Sequence, residues 1–238
     1  MTAQTQQERP IARPIPVASV SMKLLVSLTG LFLIVFLVVH LSVNLTMLAG
    51  RDTYNAAAHW MGTNPAIFAM QPVLALGVLA HFVVSGYLWL TDLRTRPLRY
   101  SVVDRAGGST WASRNMLILG AVILLFLILH VSSYWIPLAY GTPPMTELAG
   151  EPVEDVYALV TGTFRVWWYA ALYVVAFVCL GLHLSHGFQS AIQTLGLSDA
   201  RWRTRWTVLG NIYAVIVAVG FITLPVFFFV QAQLSSAP

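Results

Sequence analysis

The chain has 238 residues, 58% of them hydrophobic and 9% charged, with a formal net charge of +4. A soluble domain carries roughly a quarter charged residues, so this composition excludes a water-covered globular protein and points to a chain built for lipid. The positive excess needs no nucleic-acid partner, because a basic face on one side of a membrane accounts for it.

Residues 1–20, with Pro10, Pro14 and Pro16, are polar and show no small-residue cleavage site after an apolar run. They read as a disordered cytoplasmic lead-in rather than a signal peptide. Five apolar stretches follow, approximately Leu24–Leu48, Ile67–Leu90, Asn115–Ile136, Val166–Ile192 and Val208–Val230. Each meets the length of about 20 residues that a hydrocarbon core of about 30 Å demands of a helix. Backbone groups in lipid must be bonded internally, so these stretches are expected to be helices. The predicted fold class is an all-α membrane protein, with a bundle of five transmembrane helices over 21–233 and a short tail at 234–238. Pro72 is placed to kink the start of the second span.

Basic residues set the expected orientation. Arg9, Arg13 and Lys23 precede the first span; Arg94, Arg96, Arg99, Arg105 and Arg114 fill the second connection; Arg201, Arg203 and Arg205 fill the fourth. The first and third connections hold Arg51 and Arg165 beside Asp52, Glu147, Glu151, Glu154 and Asp155. The positive-inside rule then puts the N-terminus in the cytoplasm and the C-terminus outside. Trp89, Trp111, Trp135, Trp167, Trp202 and Trp206 fall near the span boundaries, as an interfacial aromatic belt requires. A multi-pass protein of the cell inner (cytoplasmic) membrane is expected, its basic inner face suited to docking a soluble subunit.

The first four spans each carry one deep histidine: His40, His81, His130 and His183. An ionisable side chain at such depth is costly and usually functional. Imidazole also ligates haem iron, and a bundle core is where such cofactors sit. His40 and His130 each follow the inner end of their spans by about 16 residues, or roughly 24 Å. His81 and His183 lie a similar distance along spans that run the other way. The two levels should differ by about 15–20 Å, the tilt of the spans setting the value within that range. His40 therefore matches His130 near the outer face, and His81 matches His183 near the inner face. Two haem b groups, each held by one pair, are the expected cofactors.

Gly77 and Ser85 stand one turn either side of His81, and Gly187 one turn beyond His183, where a porphyrin needs room. Close helix packing accounts for such residues equally well. Asn44 and Ser133 are polar neighbours of His40 and His130, suited to contact the ligands or the propionates. His186 lies three residues from His183 on nearly the same face. It is a candidate for a propionate or a quinone, while His59 reads as an ordinary interfacial residue.

These residues carry a family resemblance. The stretches LTGLFLIVFLVVHLSVNL, TNPAIF, WASRNMLILG and above all WWYAALYVVAFVCLGLHLSHGFQSAIQTLGL resemble the cytochrome b membrane anchor of succinate dehydrogenase. That class is shared with fumarate reductase, and the closer likeness is to single-chain, five-helix, dihaem anchors. The likeness runs from about Met22 onward. It implies haem ligands at His40, His81, His130 and His183, in agreement with the pairing by depth. It also implies a division of labour: a flavoprotein subunit oxidises succinate, and an iron–sulfur subunit hands electrons to this chain, which passes them to a membrane quinone.

Cys179 alone cannot hold an iron–sulfur cluster, and no glycine-rich nucleotide fingerprint occurs. Every Asp and Glu falls in a tail or connection, so a carboxylate path through the membrane is not expected unless Asp52 or the Glu151–Asp155 cluster dips to the outer haem. Ser27, Arg114 and His186 are the candidate quinone contacts near the inner face. Helix packing, inner-face anchoring and a propionate contact are their respective alternatives. Two other readings stay open: the cytochrome b anchor of a hydrogenase or formate dehydrogenase, and a haem-free membrane transporter, which would line a path with polar groups on broken helices.

Overall fold

The computed structural model describes residues 17–95 and 111–235. Arg9, Arg13, Arg96, Arg99 and Arg105, counted above on the basic side, lie outside them. In chain order the elements are α1 (Val17–Leu45), a 3-10 turn (Thr46–Ala49), α2 (Arg51–Thr63), α3 (Pro65–Thr95), α4 (Trp111–Arg114) and α5 (Met116–His130). A π-helical turn (Val131–Trp135) leads into α6 (Ile136–Tyr140), then β1 (Met145–Leu148), β2 (Glu151–Glu154), α7 (Val156–Phe164), α8 (Trp167–Thr194) and α9 (Arg203–Ser235).

Five helical stretches are long and apolar enough to cross a membrane: Val20–Ala49, Pro65–Arg94, Met116–Tyr140, Trp167–Thr194 and Arg203–Ser235. This is a multi-pass membrane protein. Several helices outrun the apolar stretches that announce them. α1 starts at Val17, inside the stretch expected to be disordered, and α9 runs from Arg203 to Ser235, into the expected tail. The reason is that a helix bonds its own backbone in water as well as in lipid, so polar residues extend it past the hydrocarbon edge. Pro72 lies inside α3, which continues on both sides of it. Trp89, Trp111, Trp135, Trp167 and Trp202 all turn outward, as the aromatic belt requires.

α8 is the central helix, packing against α1, α5, α7 and α9. Its tightest approach is to α9. A Cβ added at Gly181 would sit 2.9 Å from Ala218 Cβ, so the two backbones close up only because Gly181 has none. The core gathers on this seam and on α1, with Leu41, Tyr173, Phe177, Val217, Phe221 and Leu224 buried. α3 lies against α1 and turns Phe68, Leu76, Leu79 and Val83 outward, which lipid tolerates and water would not.

The first and third connections fold into a cap over one end of the bundle. β1 and β2 pair antiparallel from Met145↔Glu154 to Leu148↔Glu151. The two turn residues, Ala149 and Gly150, both have positive φ, the primed geometry that fits the strand twist. Asp155 caps α7 by accepting from Ala158 N at 3.1 Å. It also accepts from Asn55 Nδ2 at 2.9 Å and pairs with Arg51, while Asn55 Oδ1 accepts from Tyr157 N at 2.9 Å. Asp155 is thus a buried carboxylate, but it belongs to this cap and its oxygens are engaged there. Asp52 is exposed.

Candidate functional site

The four deep histidines meet in two pairs. His40 on α1 and His130 on α5 have ring centroids 5.8 Å apart, with their planes at 90°. His81 on α3 and His183 on α8 have centroids 6.5 Å apart at 72°. These are the partners expected from depth.

The interval between the two levels can be read along three helices. Gly30 faces His81, a Cβ there falling 3.2 Å from His81 Cε1, and His40 follows on the same helix ten residues later. Gly120 faces His183, at 3.9 Å by the same measure, and His130 follows ten residues later. Tyr173 reaches His130, and His183 follows it by ten residues. Ten residues rise about 15 Å, which agrees with the interval expected from the sequence.

The pairs have different walls. Around His40 and His130 stand Phe36, Phe126, Tyr134, Tyr173 and Phe221, with ring centroids between 5.2 and 6.1 Å from one or other imidazole. The π-helical turn begins directly after His130, and Tyr134 within it packs on that ring at 5.3 Å. Such turns are rare and often mark functional sites. Tyr134 also bonds Thr163 at 2.6 Å, and Tyr169 bonds Ser133, so this turn is cross-linked to α7 and α8 beside the pair.

His81 and His183 are flanked instead by glycine. Because Gly30 lacks a side chain, His81 approaches α1 until its Nδ1 stands 3.2 Å from both the Val26 carbonyl and Thr29 Oγ1. The approach and the hydrogen bond have one cause. His183 Nδ1 is buried and makes no hydrogen bond, alone in this among the buried side-chain nitrogens and oxygens of the described residues. On the other level, His130 Nδ1 stands 3.2 Å from Tyr173 Oη. Asn44 Nδ2 is 3.5 Å from His40 Nδ1 and also donates to the His40 carbonyl at 2.7 Å.

The remaining sequence candidates are placed as follows. Gly77 faces Phe32, and Gly187 has open space beside it. Gly30 and Gly120, not singled out from the sequence, lie beside the rings on the facing helices, where a Cβ would crowd His81 at Gly30 but make only ordinary contact with His183 at Gly120. A depth argument applied to whole helices would have found them, since the level of His81 must cross α1 about ten residues before His40. Ser85 bonds the His81 carbonyl within its own helix. Ser27 is buried and donates to the Lys23 carbonyl at 2.9 Å. His186 is half-buried one turn beyond His183, and Arg114 is exposed at the end of α4, which packs on α8. His59 is largely exposed, with Glu154 Oε2 3.9 Å from its Nδ1.

The donor set suits a haem iron. A metal–imidazole bond of about 2.0 Å, with the ring nitrogen about 1.1 Å from its centroid, would allow two imidazoles that share one iron to stand with their centroids about 6 Å apart. The observed 5.8 and 6.5 Å bracket that value. Each pair offers two nitrogens, and among the described residues no three His, Cys, Asp or Glu gather as a metal site. Two donors suffice for an iron that arrives with four porphyrin nitrogens, and fall short of the four ligands of a structural zinc. A scan of protein-family models and searches of curated proteins and of solved structures find no match to this chain.

Proposed function

We propose that this chain is the membrane anchor and electron-transfer subunit of a succinate:quinone oxidoreductase, a dihaem cytochrome b of the cell inner membrane. The observation that carries the reading is the meeting of four histidines from four spans as two pairs, about 15 Å apart in depth. His40 and His130 would hold one haem b, and His81 and His183 the other. Haem iron held between two imidazoles carries one electron at a time. The Val26 carbonyl and Tyr173 orient two of the four rings, and the apolar helices around both pairs exclude water.

The choice of succinate:quinone oxidoreductase rests on the resemblance of the quoted stretches, above all that of α8. α1 begins, α3 ends, α5 begins and α9 begins at the end opposite the cap, and Lys23, Arg94, Arg114, Arg203 and Arg205 gather there. In this reading that end faces the cytoplasm and docks an iron–sulfur subunit, itself bound to the flavoprotein subunit that oxidises succinate. A membrane quinone would be reduced beside the His81/His183 pair. There His186 and Arg114 are the accessible candidates, and Ser27, already bonded to its own helix, is the least free to serve.

The test is a reduced-minus-oxidised spectrum with haem quantitation on the purified chain. Two haems per chain are expected. His40→Leu and His130→Leu should remove one spectral component, and His81→Leu and His183→Leu the other. One haem per chain, or loss of the same component from the His40 and His81 variants, overturns the assignment.

A further inference from the structure

We propose that the Tyr173 hydroxyl is a positioning group that tunes the electronics of the His40/His130 site through His130, as the Val26 carbonyl does for His81 at the other site. The inference rests on the haem reading above. Three observations carry it.

First, Tyr173 Oη stands 3.2 Å from His130 Nδ1. If Nε2 bonds the iron, the neutral ring carries its proton on Nδ1, so the imidazole donates and the tyrosine oxygen accepts. A hydrogen bond donated from the far nitrogen fixes the tautomer and ring orientation and raises the basicity of the ligating nitrogen.

Second, Tyr173 is itself immobilised. It is 2% exposed and is enclosed by Phe126, Phe164, Tyr169 and Phe177, with centroids 4.8 to 5.7 Å from its own. Its hydroxyl is therefore aimed by packing rather than free to seek solvent.

Third, His183 Nδ1, one level away on the same helix, has no hydrogen-bond partner at all. α8 thus supplies the orienting hydroxyl to one pair and an unsupported ligand to the other, ten residues apart. A more basic ligand favours the more charged, ferric iron. Tyr173 should therefore hold the midpoint potential of the His40/His130 haem below the value it would have without the bond.

The experiment is potentiometric titration of the full purified chain, followed by optical and low-spin electron-paramagnetic signals, in wild type, Tyr173→Phe and Tyr169→Phe. Tyr173→Phe keeps the buried ring and removes only the hydroxyl. The expected result is two haems retained and one midpoint shifted upward, the other unchanged. The shift should be on the order of 59 mV, the equivalent of a tenfold change in a one-electron equilibrium. The shifted component must be the one that His40→Leu removes. Tyr169→Phe removes the neighbouring hydroxyl, which bonds Ser133 and touches no histidine nitrogen in the structure, and should move neither midpoint.

Wild type with two haems and a Tyr173→Phe variant with unmoved midpoints would overturn this inference and leave the haem reading standing. A shift of equal size in Tyr169→Phe would also overturn it, because general repacking would then explain the change. Wild type without haem would overturn both.

Discussion

Gly30 does two jobs with one missing atom. It lets His81 settle against α1, and the contact it permits is what brings His81 Nδ1 to the Val26 carbonyl. If the pairs hold haem as proposed, Gly30→Leu should push the His81 ring off that carbonyl and leave a single haem, spectrally the one that survives in His81→Leu. Haem quantitation that still finds two would show that the close approach is dispensable. In the cap, burial pushes the Tyr54 hydroxyl up to about 12 from its ordinary 10. The folded state then keeps a proton that the unfolded state has already released, so stability falls as pH rises from about 10 towards 12. Tyr54→Phe removes that term, and its melting temperature should drop less than that of wild type between pH 9 and pH 11. Equal drops would place the alkaline sensitivity in other groups.

At the level of elements, the cap is held by one carboxylate. Asp155 serves the α7 N-terminus, Asn55 and Arg51 at once, from a position 1% exposed. Asp155→Ala strands those donors and should cost on the order of 3 kcal/mol, the range found when a buried pair loses one partner. Arg51→Ala should cost much less, because its side chain is half exposed and water takes over the charge. Thermal melts of the two variants test the ordering, and equal losses would mean that the ion pair, not the capping network, holds the connections together. If the His81/His183 pair holds haem as proposed, that haem should survive both substitutions, since α2 and α7 lie at the other end of the bundle. The spans were legible because an apolar run of some 20 residues has one solution in lipid. α2, β1, β2 and α7 were not, because segments too short to span take their structure from partners distant in sequence, here across 104 residues from Arg51 to Asp155.

On the scale of the whole molecule, alternating spans gather Lys23, Arg94, Arg114, Arg203 and Arg205 at one end and the acidic cap at the other. Positive-inside bias then predicts that reporter fusions read the α9 C-terminus outside and the 96–110 connection inside. The opposite readings would reverse the proposed docking face. Composition, span length and depth along a helix of constant rise were enough, by themselves, to determine a five-span bundle and to say which histidines share a level. Depth is a one-dimensional quantity, and a sequence is a one-dimensional record of it. Which side chains surround each pair is a two-dimensional question of helix rotation and neighbour choice, decided only when α8 packs centrally and α1 closes on α3. That packing brings Gly30 and Gly120 to the rings. It also gives His130 a tyrosine partner and leaves His183 Nδ1 with none, because contacts across helices depend on rotations that apolar periodicity in a lipid-facing chain does not encode.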